Sequence, residues 1–281
     1  MKTIIVPIDF SEYSLKGLQL AVLFAKKIKA NIEMVYVQKK TGEYFPSIRE
    51  QQLKWASEKF EEIKKKYCGQ LHRKNKLDYI IKHGKVHQEV VHQAQSYKDS
   101  MIITSTHGVS GFDEIFLGSN ATKIIALSDR PVITINIGNC PVNIYKIVMP
   151  IDHTKETRQK VNFTIEIAKA FHAEIHVVPV IASRQDDLSK KAETYAKQVC
   201  AILEKEKIQY KYKMLCGKNV PDMVIKYAEH KKADLISIMS EQTPSISSLL
   251  LGSQAELVLT KSKIPVLTIT PKDLYMTVRS Y

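Results

Sequence analysis

Residues 2–9 read KTIIVPID, and residues 145–152 read YKIVMPID. Further along, LGSNA at 117–121 returns as LGSQA at 251–255, and RPVITI at 130–135 returns as IPVLTI at 264–269. The signposts recur in one order at a period of about half the chain, so one domain is written twice. In the first copy TIIVPI is short, apolar and β-branched, the pattern of a buried strand. Ser11 then offers an N-cap, with Ser14 three residues on, to a helix reaching about Lys29 whose apolar face carries Leu15, Leu18, Ala21, Val22 and Ala25. Strands follow at 31–37, 79–81, 101–105 and from Pro131, with helices at 47–67, 86–97 and 119–128. The second copy predicts strands near 146–151, 174–180, 210–215, 235–239 and 266–270, and helices near 155–171, 187–206, 220–231 and 253–262. Strands alternating with helices give parallel sheets joined by right-handed crossovers. The expected fold is α/β: two tandem doubly wound domains, each a five-stranded parallel sheet with helices on both faces. The predicted boundaries are 1–139 and 144–271, with a C-terminal tail at 272–281 and a short joint, IGNCPVN, between the copies.

Composition excludes several classes. No apolar run approaches the roughly 20 residues of a membrane span. Pro7 and Asp9 interrupt the N-terminal apolar run, which also recurs internally, so it reads as a strand and not a signal peptide; the expected location is cytoplasmic. Cys68, Cys140, Cys200 and Cys216 form no CxxC pair and do not repeat between the copies, which argues against a metal cage or a disulfide frame. His83, His87 and His92 lack the spacing of a zinc site, so no metal site is predicted. The net charge of +13 is spread evenly: 21 Lys+Arg against 14 Asp+Glu in residues 1–143, and 21 against 15 in the rest. That field favours anionic ligands such as nucleotides. Lysine-rich solvated helix faces account for it better than a specific nucleic-acid groove; Lys64–Lys66 close a helix, where cations suit the dipole. Trp55, on a helix with Leu53 and Phe60, reads as a core residue.

Ligands of open parallel sheets lie beyond the carboxyl ends of the strands. Two segments of the first copy reach that edge. One is Pro7-Ile8-Asp9. The other runs from Ser105-Thr106-His107-Gly108 to Gly118-Ser119-Asn120 at a helix start. Glycines let main-chain amides approach an anion, and a helix N-terminus adds unpaired N–H groups and a positive dipole end. Each element also has a plainer reading. Gly118-Ser119 can be a loop glycine and a cap, Asp9 a carboxylate that ties the strand end to the next helix, and His107 a solvated loop residue.

The whole arrangement resembles the universal stress protein family, over nearly all of both copies. The resemblance rests on VPIDFSEYS, the glycine loop and the closing LGS…PV. Members that bind ATP carry G-x-x-G-x9-G-[ST]; here Gly108 and Gly118-Ser119 match, and Ser105 stands at the first glycine. The resemblance implies an adenine nucleotide alpha hydrolase-like fold and a stress-response module binding ATP, or AMP or ADP, with magnesium as an optional companion. It places Pro7 and Asp9 beside the adenosine, the Val37 main chain against adenine, and Ser105, His107, Gly108, Gly118, Ser119 and Asn120 around the phosphates. Nucleotide would order the loop at 106–118 and change the surface shown to a protein partner. It implies pairing of domains through their fifth strands, within one chain as a pseudo-dimer or between chains as a homodimer. In the second copy Met239 falls opposite Ser105, Gln242 opposite Gly108 and Glu241 opposite His107, and Pro244 removes an amide donor. That copy reads as keeping the fold without the nucleotide. No Ser-His-Asp order or HExxH motif is present; slow ATP hydrolysis and a nucleotide-free scaffold role stand as the alternatives.

Overall fold

The structure is a computed structural model that describes residues 2–38, 46–106, 117–136, 140–181, 187–240 and 251–271; for residues 46–49 and 68 it describes the backbone alone. It divides into two units, Met1–Asn143 and Ile144–Tyr281. The first unit contains β1 (Thr3–Pro7), α1 (Glu12–Ile28), β2 (Asn31–Gln38), α2 (Pro46–Tyr67), β3 (Leu77–His83), α3 (Val86–Gln95), β4 (Ser100–Ser105), α4 (Ser119–Leu127) and β5 (Val132–Ile135). Its sheet order is β3-β2-β1-β4-β5, parallel throughout. The order reverses at β1, which puts α1 and α2 on one face and α3 and α4 on the other. Alternation along β2 shows this directly. Glu33 is hydrogen-bonded by Gln93 and Tyr97 beside α3, whereas Tyr36 meets Phe60 of α2. β1 and β4 are buried almost along their whole length, as a doubly covered sheet requires.

The second unit repeats the design with β6 (Lys146–Ile151), α5 (Val161–Phe171), β7 (Glu174–Ile181), α6 (Asp187–Lys205), β8 (Tyr210–Tyr212), β9 (Leu215–Cys216), α7 (Val220–His230), β10 (Leu235–Met239), α8 (Ser253–Lys261) and β11 (Val266–Ile269). Its parallel order is β11-β10-β6-β7-β8, with β9 also on β7. Two details differ from the sequence reading. The strand expected at 210–215 is broken into β8 and β9, yet both halves keep one register on β7. Lys213 N–H reaches Val177 C=O at 3.1 Å and Gly217 N–H reaches Ile181 C=O at 2.9 Å. Between those rungs the donor on β7 would be Pro179, which has no N–H, so the ladder lapses there. The helix expected from 155 begins instead as a short 3-10 turn, Glu156–Arg158, and α5 starts at Val161. Lys160 lies at the break, its ammonium donating to the Thr157 carbonyl at 2.8 Å, the acceptor that a continuous first α-helical turn would use.

The helix entry of the first unit follows the sequence closely. Ser11 Oγ accepts from Ser14 N–H at 3.2 Å and donates to Asp9 Oδ1 at 2.5 Å. Asp9 Oδ1 also accepts from Ser11 N–H at 3.0 Å, and Ser14 Oγ accepts from Asp9 N–H at 3.4 Å. Ser14 thus reaches back past the cap to the Asp9 amide, while Asp9 itself takes the Ser11 N–H that a capping-box Glu would take. Ser11→Ala removes both hydroxyl bonds, and we expect a loss of about 1 kcal/mol in urea denaturation; an unchanged midpoint would show that the cap carries no weight.

Candidate functional site

The carboxyl edge of the first sheet assembles most of the residues named from sequence. Pro7 closes β1 opposite Val35, and Ile8 N–H makes the last bond of that ladder, to Val35 C=O at 2.9 Å. In a parallel ladder alternate residues turn their main-chain groups to the same neighbour. Val37 is in phase with Val35, so its N–H and C=O turn to the β1 side, one rung past that last bond. Gln38 is in the opposite phase, and its carbonyl accepts from Gly84 N–H on the β3 side at 3.3 Å. Asp9 follows at the end of β1, held by the Ser11 contacts above. Its charge also reaches Tyr36, whose phenol is pushed up first by burial and then by the Asp9 carboxylate.

The second wall comes from β4 and α4. Thr106 N–H bonds Ile135 C=O at 3.0 Å, its hydroxyl donates to Asn136 Oδ1 at 3.1 Å, and Gly118 N–H bonds Thr106 C=O at 2.8 Å. The two ends of the glycine loop are therefore tied together, which sets Ser105 beside Gly118 and Ser119. Gly118 is the N-cap of α4 and supplies no side-chain cap, and no acidic residue lies in the first turn. Ser119 and Asn120 are exposed. Such a helix start presents N–H groups and positive dipole to solvent, the ordinary receptor for an anion. His107 and Gly108 lie outside the described residues.

Sequence reasoning missed three parts of this edge. His87, at the start of α3, hydrogen-bonds the Asn120 side chain; burial holds its imidazole below the usual range, with Lys123 and Lys85 acting in the same direction. Its pairing across helices has no sequence signal beyond its place just after Gly84. Phe10 sits at φ +63°, a left-handed conformation rare for a bulky residue and commonest near functional sites. That turn lays the ring 5.3 Å from Tyr36, 4.9 Å from Phe60 and 5.0 Å from Trp55. Trp55 is 46% exposed, which corrects its assignment to the core: it packs edge-on to Phe10 with its other side toward solvent. Finally, Gly17 of α1 packs on the end of β4, where a Cβ would stand 3.5 Å from Ser105 N.

The second unit keeps the frame and changes the contents. Asp152 Oδ1 accepts from Thr154 N–H at 2.7 Å and from its hydroxyl at 2.5 Å, and Asp152 N–H reaches Thr157 Oγ1 at 3.2 Å. This reproduces the Asp9, Ser11 and Ser14 set, so the carboxylate's mechanical role is common to both copies. Where α1 has Gly17, however, α5 is preceded by Lys160, 1% exposed, its ammonium on Thr157 O and, at 3.1 Å, on Thr157 Oγ1. Desolvation lowers that lysine to about 8, and the Asp152 charge opposes the shift. Glu256 sits in the first turn of α8, where α4 has no acid. Glu241, Gln242 and Pro244 lie outside the described residues.

Among the described residues no three His, Cys, Asp or Glu side chains come together as a metal site, and no helix is long and apolar enough to cross a membrane. Comparison with known proteins agrees with the twofold reading. The model of the Universal stress protein family matches twice, at residues 1–136 and 143–270. A universal stress protein of Methanocaldococcus jannaschii, MJ0531, is 29% identical over 143 residues, 45% of this chain and 83% of the relative. YxiE of Bacillus subtilis is 27% identical over 145 residues, 47% of this chain and 96% of the relative. Among solved structures, a universal stress protein from Archaeoglobus fulgidus superposes with a TM-score of 0.78 at 20% identity, covering 95% of this chain and 98% of its own.

Proposed function

The chain belongs to the universal stress protein family, and we propose that its first unit binds one adenine nucleotide as a stress-response module while the second serves as a nucleotide-free partner domain. The observation that carries this reading is the uncapped, acid-free start of α4, tied to the end of β4 by the Gly118–Thr106 bond. The phosphates would lie on that helix start, with Ser105, His107, Gly108, Ser119 and Asn120 around them. Adenine would meet the Val37 N–H and C=O, and the ribose would lie near Pro7 and Asp9. ATP is the expected ligand, AMP or ADP its substitutes, and magnesium would accompany the phosphates of ATP.

The reading extends to assembly. Family members pair through their fifth strands, so β5 and β11 would pair within one chain, or between two chains in a homodimer. Hydrolysis is the weaker alternative, because the Asp9 carboxylate is engaged by the Ser11 amide and hydroxyl and so is poorly placed as a general base. A scaffold role without nucleotide is favoured by one feature, Ser105 at the position of the pattern's first glycine.

Denaturing freshly purified protein and counting released nucleotide by chromatography and mass spectrometry separates these readings. About one adenine nucleotide per chain is expected, consistent with one working site. No nucleotide released, and none taken up on titration with ATP and magnesium, would leave the scaffold reading.

A further inference from the structure

Gln38 ends β2 with a side chain that is 5% exposed, and among the described residues neither its Nε2 nor its Oε1 has a hydrogen-bond partner. Two buried, unpaired amide atoms on one residue are uncommon in a folded protein and call for an explanation. The second unit provides an internal control. There the equivalent strand, also eight residues long, ends in Val180-Ile181, and Ile181 is 2% exposed. The fold therefore accepts an isoleucine at this point, and the carboxamide belongs to the copy that keeps the loop glycine Gly108. Gln38 directly follows Val37 and shares the face of Tyr36, the face on which Phe10 and Trp55 pack.

We propose that Gln38 is the base-selecting residue of the first unit, its carboxamide taking the N6–H and N7 edge of adenine while the Val37 main chain takes the N1 and N6 edge. A carboxamide presents a donor and an acceptor side by side, which matches that edge of adenine and no equivalent edge of guanine, where O6 replaces the N6 donors. At that edge both atoms of Gln38 are satisfied by adenine and not by guanine. The inference rests on nucleotide binding by the first unit, and it adds which base is chosen and by what.

The test compares ATP with 7-deaza-ATP, which lacks the N7 acceptor, by calorimetric titration of the wild-type protein and of Gln38→Ile, the residue borrowed from the second unit. Wild type should bind 7-deaza-ATP about tenfold more weakly than ATP, the size of one hydrogen bond. Gln38→Ile loses both bonds, should bind ATP more weakly than wild type by about tenfold or more, and should no longer distinguish the two analogues. Its melting temperature without nucleotide should not fall, since the substitution removes two unpaired buried atoms. Equal wild-type affinity for both analogues overturns the role of Gln38 and leaves nucleotide binding standing. No ATP binding by wild type overturns both. Should Gln38→Ile fail to fold, the pair of analogues on wild type decides alone.

Discussion

Gly17→Lys is expected to abolish nucleotide binding while the protein stays folded. Gly17 and Lys160 occupy equivalent positions, one turn into the helix entry that Asp9, Ser11 and Ser14 build in the first unit and Asp152, Thr154 and Thr157 build in the second. In the first unit the glycine lets α1 lie on the backbone of Ser105 and Thr104, at the inner end of the cradle. In the second, a full lysine is buried over the same frame and turns its ammonium back to Thr157. The same side chain at 17 would carry its ammonium to Ser14 and Asp9, where the ribose is expected, and fill the space beside Ser105. We expect a loss of ATP affinity on the order of a hundredfold or more, or about 3 kcal/mol. Gly17→Ala is the control: its Cβ would make ordinary contacts, and alanine suits a helix better than glycine. The readout is intrinsic, because Trp55 is the protein's one tryptophan and packs on Phe10, next to Asp9. Its emission should change on titration of wild type and of Gly17→Ala with ATP, and stay flat for Gly17→Lys. A Gly17→Lys protein that binds like wild type would show that the lysine is not what closes the second site.

The twofold pattern made the architecture legible because it rests on local rules. Apolar β-branched runs and Pro131 ahead of β5 act within a few residues and occur twice, and the Ser11 cap is equally local. Where a long-range contact decides, the sequence was silent. Pro179 interrupts the pairing of β7 with β8 and β9 only because those strands happen to neighbour it. At the start of α5 the contact is local, Lys160 on Thr157, but it depends on how a long side chain folds back. Both are visible as residue types, but neither effect can be read without knowing what lies opposite. The candidate site, as proposed, divides in the same way. Asp9, Gly118 and Ser119 were legible from spacing, since they sit at strand and helix ends. Gln38, His87 and the outward Trp55 were not, because their significance lies in partners from other elements or in having none. Comparing copies recovers part of this: Gln38 against Ile181 and Gly17 against Lys160 are substitutions at equivalent points on one frame, and they mark where the first unit departs from what the fold alone needs.

Lys160 should also leave a signature in the pH dependence of stability. An unfolded lysine titrates near 10.5, and burial lowers Lys160 to about 8. Below pH 8 the group is charged in both states, and the folded state carries the full cost of an ammonium out of water, only partly offset by Asp152. Between pH 8 and 10.5 the unfolded chain holds a proton that the folded chain has released, so stability rises with pH. Above 10.5 both states are neutral and the rise ends. The shift corresponds to about 3 kcal/mol over that window. Lys160→Met keeps the length and apolar stem of the side chain and cannot titrate, so it should lack this rise. Every other titratable group is common to both proteins and cancels in the difference. Chemical denaturation followed by circular dichroism at steps from pH 7 to 10 should therefore show the variant's stability relative to wild type falling by about 3 kcal/mol across the series. Parallel curves would mean that Lys160 titrates as an ordinary lysine, its ammonium reached by water in the folded state.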